Sequence, residues 1–231
     1  MGEFGAGQTP GMEKPMKIIR AYTKGEEIFN SISHGVGSLV AVVGTTIMIT
    51  LSALFYGTTA VVASAIYGAA LIAMFTMSTL YHAIPFPRVK RVLQILDHDS
   101  IYLLIAGSYT PITLISLRDS PRGLPIFIVV WLAAVLGAIL NAVNMQKFKK
   151  VSLVLYVAMG WAVCWDIMAV ITALGQGGFA LLLAGGLCYT IGIIFYRLKK
   201  ISFMHSVWHL FVVAGAVLHY LCILLFVLPQ N

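Results

Sequence analysis

The sequence predicts an all-α integral membrane protein, a seven-transmembrane helix bundle with its N-terminus in the cytosol and its C-terminus outside. Three observations carry that reading. Of the 231 residues, 60% are apolar and only 10% charged, whereas a water-soluble domain carries about 25% charged residues to cover its surface. The apolar residues fall in uncharged runs of about the ~20 residues a spanning helix requires, or long enough for two. No run alternates polar and apolar with the period of two that a barrel strand shows.

The spans follow from the intervals between charged residues. Glu27 and Arg88 enclose 60 uncharged residues, enough for the first two spans, with Tyr56-Gly57-Thr58-Thr59 as the turn between them. Asp99 to Arg118 encloses 18 residues and Arg122 to Lys147 encloses 24, giving the third and fourth. Lys150 to Arg197 encloses 46 residues interrupted only by Asp166, and Gly175-Gln176-Gly177-Gly178 divides them into the fifth and sixth as a flexible turn would. The 31 residues after Lys200 supply the seventh. Gly107 and Pro111 suggest a kink in the third span, which neighbouring helices make tolerable.

Orientation comes from the basic residues. Lys14, Lys17, Arg20 and Lys24, then Arg88, Lys90 and Arg91 in the second-to-third loop, Lys147, Lys149 and Lys150 in the fourth-to-fifth, and Arg197, Lys199 and Lys200 in the sixth-to-seventh all fall on one side; Arg118 and Arg122 fall on the other. The positive-inside rule makes the first side cytosolic and places the chain in a cell membrane as a multi-pass protein, the bacterial cytoplasmic membrane being expected. The net charge of +7 is thereby explained without an anionic partner. A nucleic-acid reader is excluded, because no soluble face exists to carry a basic patch. Residues 1–25 read as a cytosolic segment, and 26–231 as the membrane domain. Met1 to Gly7 lack the basic start and apolar run of a signal peptide and read as cloning-derived, with the natural start near Met12 or Met16. Cys164, Cys188 and Cys222 all lie in apolar runs with no CxxC pair, so they are read as packing residues.

Ionisable groups inside a bilayer are costly and therefore informative. At a rise of ~1.5 Å per residue, His82 lies ~9 Å inside Arg88, Asp97 ~9 Å past Arg91, and His205 and His209 ~8 and ~13 Å past Lys200. Groups from the second, third and seventh spans thus share one layer of the cytosolic half. His205 and His209, four residues apart, project from one helix face. With His82 they would give three nitrogen ligands and leave a fourth position open, as in catalytic zinc sites. Asp97 would hold the water there or act as its base, and Ser78, one turn from His82, would hydrogen-bond an imidazole or that water. The competing reading is interhelical hydrogen-bond glue. His34 is expected at the interface or helix entry rather than as a ligand, and His98 and Asp99 as boundary residues. Asp166 and His219 match in depth in the outer half, where they would pair with each other or with a buried water.

These residues carry a resemblance. Glu26-Glu27 with Asn30 and Ser33-His34-Gly35, Ser78-Thr79-Leu80-Tyr81-His82, Leu96-Asp97-His98 followed by Ile101 to Pro111, and His205-Ser206-Val207-Trp208-His209 running into Phe211 to Ala216 resemble the hemolysin III family, within the progestin and adipoQ receptor superfamily. The resemblance implies a seven-helix bundle with the N-terminus inside and one zinc ion on His82, His205 and His209. It also implies that Asp97 contacts the zinc-bound water and that Ser78 matches the family's serine. The expected function is zinc-dependent hydrolysis of a lipid amide or ester, ceramidase-like, in membrane lipid homeostasis, with membrane lipids as partners. The alternatives are a membrane-state sensor with structural zinc, or a pore-forming hemolysin. Against the pore, no row of charged residues lines any span.

Overall fold

The computed structural model describes residues 22–230 and is helical throughout, with no strand among the described residues. The helices are α1 (Lys24–Leu51), α2 (Gly57–Ala83), α3 (Pro87–Pro111), α4 (Gly123–Gly160), α5 (Ile167–Arg197) and α6 (Met204–Cys222). The N-terminal basic residues Lys14, Lys17 and Arg20, and the proposed natural starts, lie outside the described residues.

Local sequence accounts for where the helices begin. Thr23 caps α1 in a capping box: its hydroxyl accepts from the Glu26 amide at 3.2 Å, and its own amide donates to Glu26 Oε2 at 2.7 Å, satisfying two donors that a helix end otherwise orphans. Pro87 occupies the first turn of α3, where its missing N–H costs nothing. That helix therefore starts before Arg88, Lys90 and Arg91, which lie in its first turns rather than in a loop. It passes Pro111 with helical angles (φ −65°, ψ −38°) and widens into a π turn, Ile112–Ser116, so the proline is absorbed by an i→i+5 turn instead of a sharp kink.

Side-chain bonds show that the chain doubles back inside its long helical stretches. Ser152 Oγ donates to Asn141 Oδ1 at 2.7 Å, although residues eleven apart on a straight helix are ~16 Å apart. The reversal is at Asn144 (φ −162°, ψ 87°), whose Oδ1 accepts from the Lys147 amide at 3.0 Å and so caps the returning arm. Trp161 Nε1 donates to Thr190 Oγ1 at 3.2 Å across a second reversal at Gly175 (φ 62°, ψ −178°). Ser52 and Ser64 hydroxyls meet at 2.9 Å across a third at Gly57 (φ 80°, ψ −175°). The last two backbone conformations are open essentially to glycine alone. They fall in the two turns read from sequence.

Among the described residues, three helical stretches, Lys24–Ala83, Gly123–Arg197 and Met204–Gln230, the first two containing these reversals, are long and apolar enough to cross a membrane. Large apolar side chains such as Leu39, Val40, Val43, Ile47, Leu132 and Val143 are exposed, an outer surface that only lipid tolerates over such an extent. The interior is stitched by Met48, Tyr67, Tyr102, Cys222 and Val227, all fully buried. Small residues bring the helices close: a Cβ at Gly107 would press into Ala70, and one at Gly185 would land on the His219 ring, as membrane interfaces built on small side chains require. The cysteines are free, but only Cys222 is buried; Cys164 is exposed and does not pack as expected.

Candidate metal centre

His82 sits in the last turn of α2, and His205 and His209 in the first turns of α6. One ring nitrogen from each lies within 4.8 Å of the others. The Nε2 atoms of His205 and His209 face each other at 3.1 Å, and His82 Nε2 is buried without a hydrogen-bond partner. Ring centroids are 5.3 Å apart for His82 and His205, 5.0 Å for His82 and His209, and 4.8 Å for His205 and His209.

The rings are aimed by the elements around them. His82 Nδ1 donates to Glu27 Oε2 at 2.6 Å, while Glu27 Oε1 accepts from Lys90 Nζ at 2.8 Å and the same ammonium donates to the Tyr81 carbonyl at 2.8 Å. A carboxylate on Nδ1 fixes the tautomer in which Nε2 carries a free lone pair, the arrangement metal-ligating histidines use. The α6 histidines are located through Phe203, which stands in the left-handed region (φ 61°, ψ 2°) just before the helix, an outlier for a bulky residue. Its amide donates to Glu26 Oε1 at 2.7 Å, so the carboxylate that caps α1 also ties down the start of α6. His209 Nδ1 lies 3.5 Å from Ser33 Oγ, which itself donates to the Asn30 carbonyl at 3.0 Å. Tyr22 closes the cluster with ring centroids 5.6 Å from His82 and 4.9 Å from His205. Burial, then Tyr81, Tyr196, Asp97 and Glu27, hold its hydroxyl above the usual phenol range.

Of the other residues read as functional, Ser78 is buried one turn before His82 on α2. Asp97, half-buried on α3, is near enough to act on the Tyr22 hydroxyl; its nearest ionic partner is His98 Nδ1 at 3.7 Å, and it stands outside the group of converging ligand atoms. His34 is not interfacial. It is 3% exposed and stacks on His209, with centroids 3.7 Å apart and planes at 17°. Helical rise gives depth but not azimuth, and the azimuth turns this ring inward. His98 and Asp99 are structural: His98 Nδ1 donates to the Gln94 carbonyl at 2.8 Å, and Asp99 Oδ1 accepts from Asn141 Nδ2 at 3.0 Å.

Asp166 and His219 do not pair. Asp166 accepts from the Ser120 hydroxyl and from Arg122 Nη1 at 3.3 Å, whereas His219 Nε2 donates to the Leu182 carbonyl at 3.2 Å. Ser120 and Arg122 belong to the α3–α4 connection, whose reach no rise per residue describes. Glu27 stands in the sequence only as part of a block shared with the family; its bond to His82 depends on the rotation of α1 in a first turn rich in charge, which run lengths do not give.

The three histidines could hold one metal ion, and their spacing can be set against that of a zinc site. Two nitrogens each 2.0–2.1 Å from tetrahedral zinc lie roughly 3.3 Å apart, close to the His205–His209 separation of 3.1 Å, and the buried, unbonded His82 Nε2 is a lone pair with nothing else to hold. Three imidazoles leave one coordination position for an oxygen ligand.

Comparison with known proteins agrees in extent. The family model described as "Haemolysin-III related" matches residues 22–220. The chain is 40% identical to "Hemolysin-3" of Bacillus cereus over 219 residues, 94% of this chain and 99% of that one. It is 35% identical to "Hemolysin-3 homolog" of Bacillus subtilis (strain 168) over 205 residues, 89% and 96% of the two chains. It is 33% identical to human "Monocyte to macrophage differentiation factor" over 165 residues, 68% and 67% of the two. No solved structure matches.

Proposed function

The chain belongs to the haemolysin-III-related family, within the progestin and adipoQ receptor superfamily, and on that premise we propose that it is a zinc-dependent hydrolase of a lipid amide or ester, ceramidase-like, embedded in the cell membrane. The helical arms that the reversals at Gly57, Asn144 and Gly175 produce support seven crossings, with the N-terminus and the basic turns on the cytosolic side. The observation that carries the proposal is the buried His82 Nε2, unbonded beside the paired α6 histidines, while Glu27 occupies its other nitrogen.

His82, His205 and His209 would hold the ion. Bound zinc supplies Lewis acidity toward an acyl carbonyl and lowers the pKa of a coordinated water to about 7. Asp97 is assigned as the base that takes the proton from the attacking water, and Ser78 as the hydroxyl that orients that water or an imidazole. The water oxygen bonds to the acyl carbon, the C–N or C–O bond breaks, and Asp97 returns the proton to the leaving nitrogen or oxygen. Glu27 keeps His82 in its ligating tautomer, and Lys90 keeps Glu27 ionised and in place.

A second reading, a membrane-state sensor with structural zinc, is favoured by the cross-bracing itself: the cluster ties α2 to α6 and, through the stacked His34, to α1. Purified protein incubated with a panel of ceramide-like amides and lipid esters separates the two. The hydrolase releases fatty acid, and His209→Ala abolishes release; zinc removal that lowers thermal stability with no product from any lipid supports the sensor instead.

A further inference from the structure

Beside the three ligating histidines lie two buried side chains with hydrogen-bonding capacity left over. Asn30 is 0% exposed; its Oδ1 accepts from Ser206 Oγ at 2.6 Å, but its Nδ2 has no partner. One turn further along α1, on the same face, His34 is 3% exposed and makes no hydrogen bond from either ring nitrogen. Its ring is locked in place between His209, stacked at 3.7 Å, and Phe75, edge-on at 5.1 Å. Orphaned buried donors are rare, and each calls for a ligand, a water or a functional role.

Their chemistry narrows the occupant. Asn30 Nδ2 can only donate, and a neutral imidazole offers one N–H beside one acceptor nitrogen, so the pair can turn two donors toward an acceptor oxygen. The stacked geometry sets the His34 ring face to face with His209 rather than in its plane, so His34 lies against one of the three candidate ligands without being a fourth. Preorganised N–H donors beside a reacting group are what stabilise an oxygen on which charge collects.

We propose that Asn30 and His34 form an acyl-oxygen recess: Asn30 Nδ2–H and the His34 ring N–H donate to the carbonyl oxygen of a lipid amide or ester, and to the carboxylate of the fatty acid released. The proposal rests on the reading of the site as one that takes a lipid acyl group, and it adds the residues that recognise the group's oxygen.

The test is dodecanoate binding to the zinc-loaded full chain in detergent by calorimetry, with metal content and thermal midpoint measured on the same samples. Asn30→Asp keeps the oxygen that Ser206 uses and replaces the donor with an acceptor; His34→Phe keeps the stack and removes both nitrogens. Each is expected to retain the metal while weakening dodecanoate by about tenfold or more, as loss of a charge-assisted hydrogen bond does, with the midpoint kept in His34→Phe and lowered in Asn30→Asp by its buried carboxyl. Unchanged affinity in both variants overturns the recess, and so does a wild type that binds no dodecanoate, which would leave only water there. If His34→Phe fails to fold or loses the metal, Asn30→Asp decides. A wild type that binds dodecanoate through these residues yet cleaves no lipid keeps the recess and retires the hydrolase. Lipid cleavage with undiminished dodecanoate binding in both variants does the reverse.

Discussion

His82 near one end of the bundle and Asp166 near the other are both buried polar side chains at helix termini, yet they are satisfied in different ways. Asp166 has its partners: Ser120 and Arg122 hold the carboxylate, and nearby Tyr109 accepts from the Val163 amide at 2.8 Å while donating to the Gly160 carbonyl at 3.0 Å, with a single orphan, Ser116 Oγ, among the described residues at that end. Around His82 they are incomplete. Glu27 takes one nitrogen, and the other, together with both nitrogens of His34 and Nδ2 of Asn30, is left without a bond. Burying an unsatisfied group costs about 1–3 kcal/mol, a penalty that chain packing alone does not justify at several atoms in one place. The satisfied layer reads as architecture, and the unsatisfied one as a site waiting for its ligand.

That contrast can be sharpened by substitution. The largest effect is expected from Glu27→Gln, which preserves an acceptor for His82 but removes the charge that raises the ring's basicity. Zinc affinity should fall about 10- to 100-fold, read by competition with a chelator of known affinity, with little change in the thermal midpoint of the metal-free protein. Gly185→Ala acts at the other layer, placing a methyl group on the His219 ring; overpacking of this kind costs ~1–3 kcal/mol and should lower the midpoint without changing metal content. Asp166→Asn weakens the bonds to Ser120 and Arg122. Because the Arg122 side chain is 54% exposed, the expected loss is ~1 kcal/mol, again with zinc retained. The smallest effect belongs to Asn144→Ala, which removes the cap of the returning arm of α4 and should cost ~1 kcal/mol or less. Loss of zinc in any of the last three, or normal zinc affinity in Glu27→Gln, would dissolve the distinction between the layers.

How far the sequence foretold this depends on which coordinate a residue's role needs. Helicity, the turns at Gly57 and Gly175, and the convergence of His82 with His205 and His209 follow from run lengths, glycine placement and depth along the membrane normal, all of which are one-dimensional. Rotation about a helix axis is not. His34 has the depth of an interfacial residue but the azimuth of a core one, and Glu27 stands among helix-entry charges while pointing at His82. The partners of Asp166 lie on a connection whose path depends on tertiary packing. Pro111 was legible as a local problem, but its solution, a π turn, depends on the neighbours of α3. Depth and helix spacing suggested roles for Asp97 and Ser78, the resemblance to the family implied the same ones, and kinetics of variants at both positions test them.

The central claim is that three imidazoles from α2 and α6 grip one zinc ion. Its most direct test is elemental analysis of the purified protein after loading with zinc and removal of excess, comparing wild type, His82→Ala and His219→Ala. The account predicts about one equivalent in the wild type and in His219→Ala, and essentially none in His82→Ala. An unloaded wild type, or a His82→Ala variant that keeps its full equivalent, would contradict it.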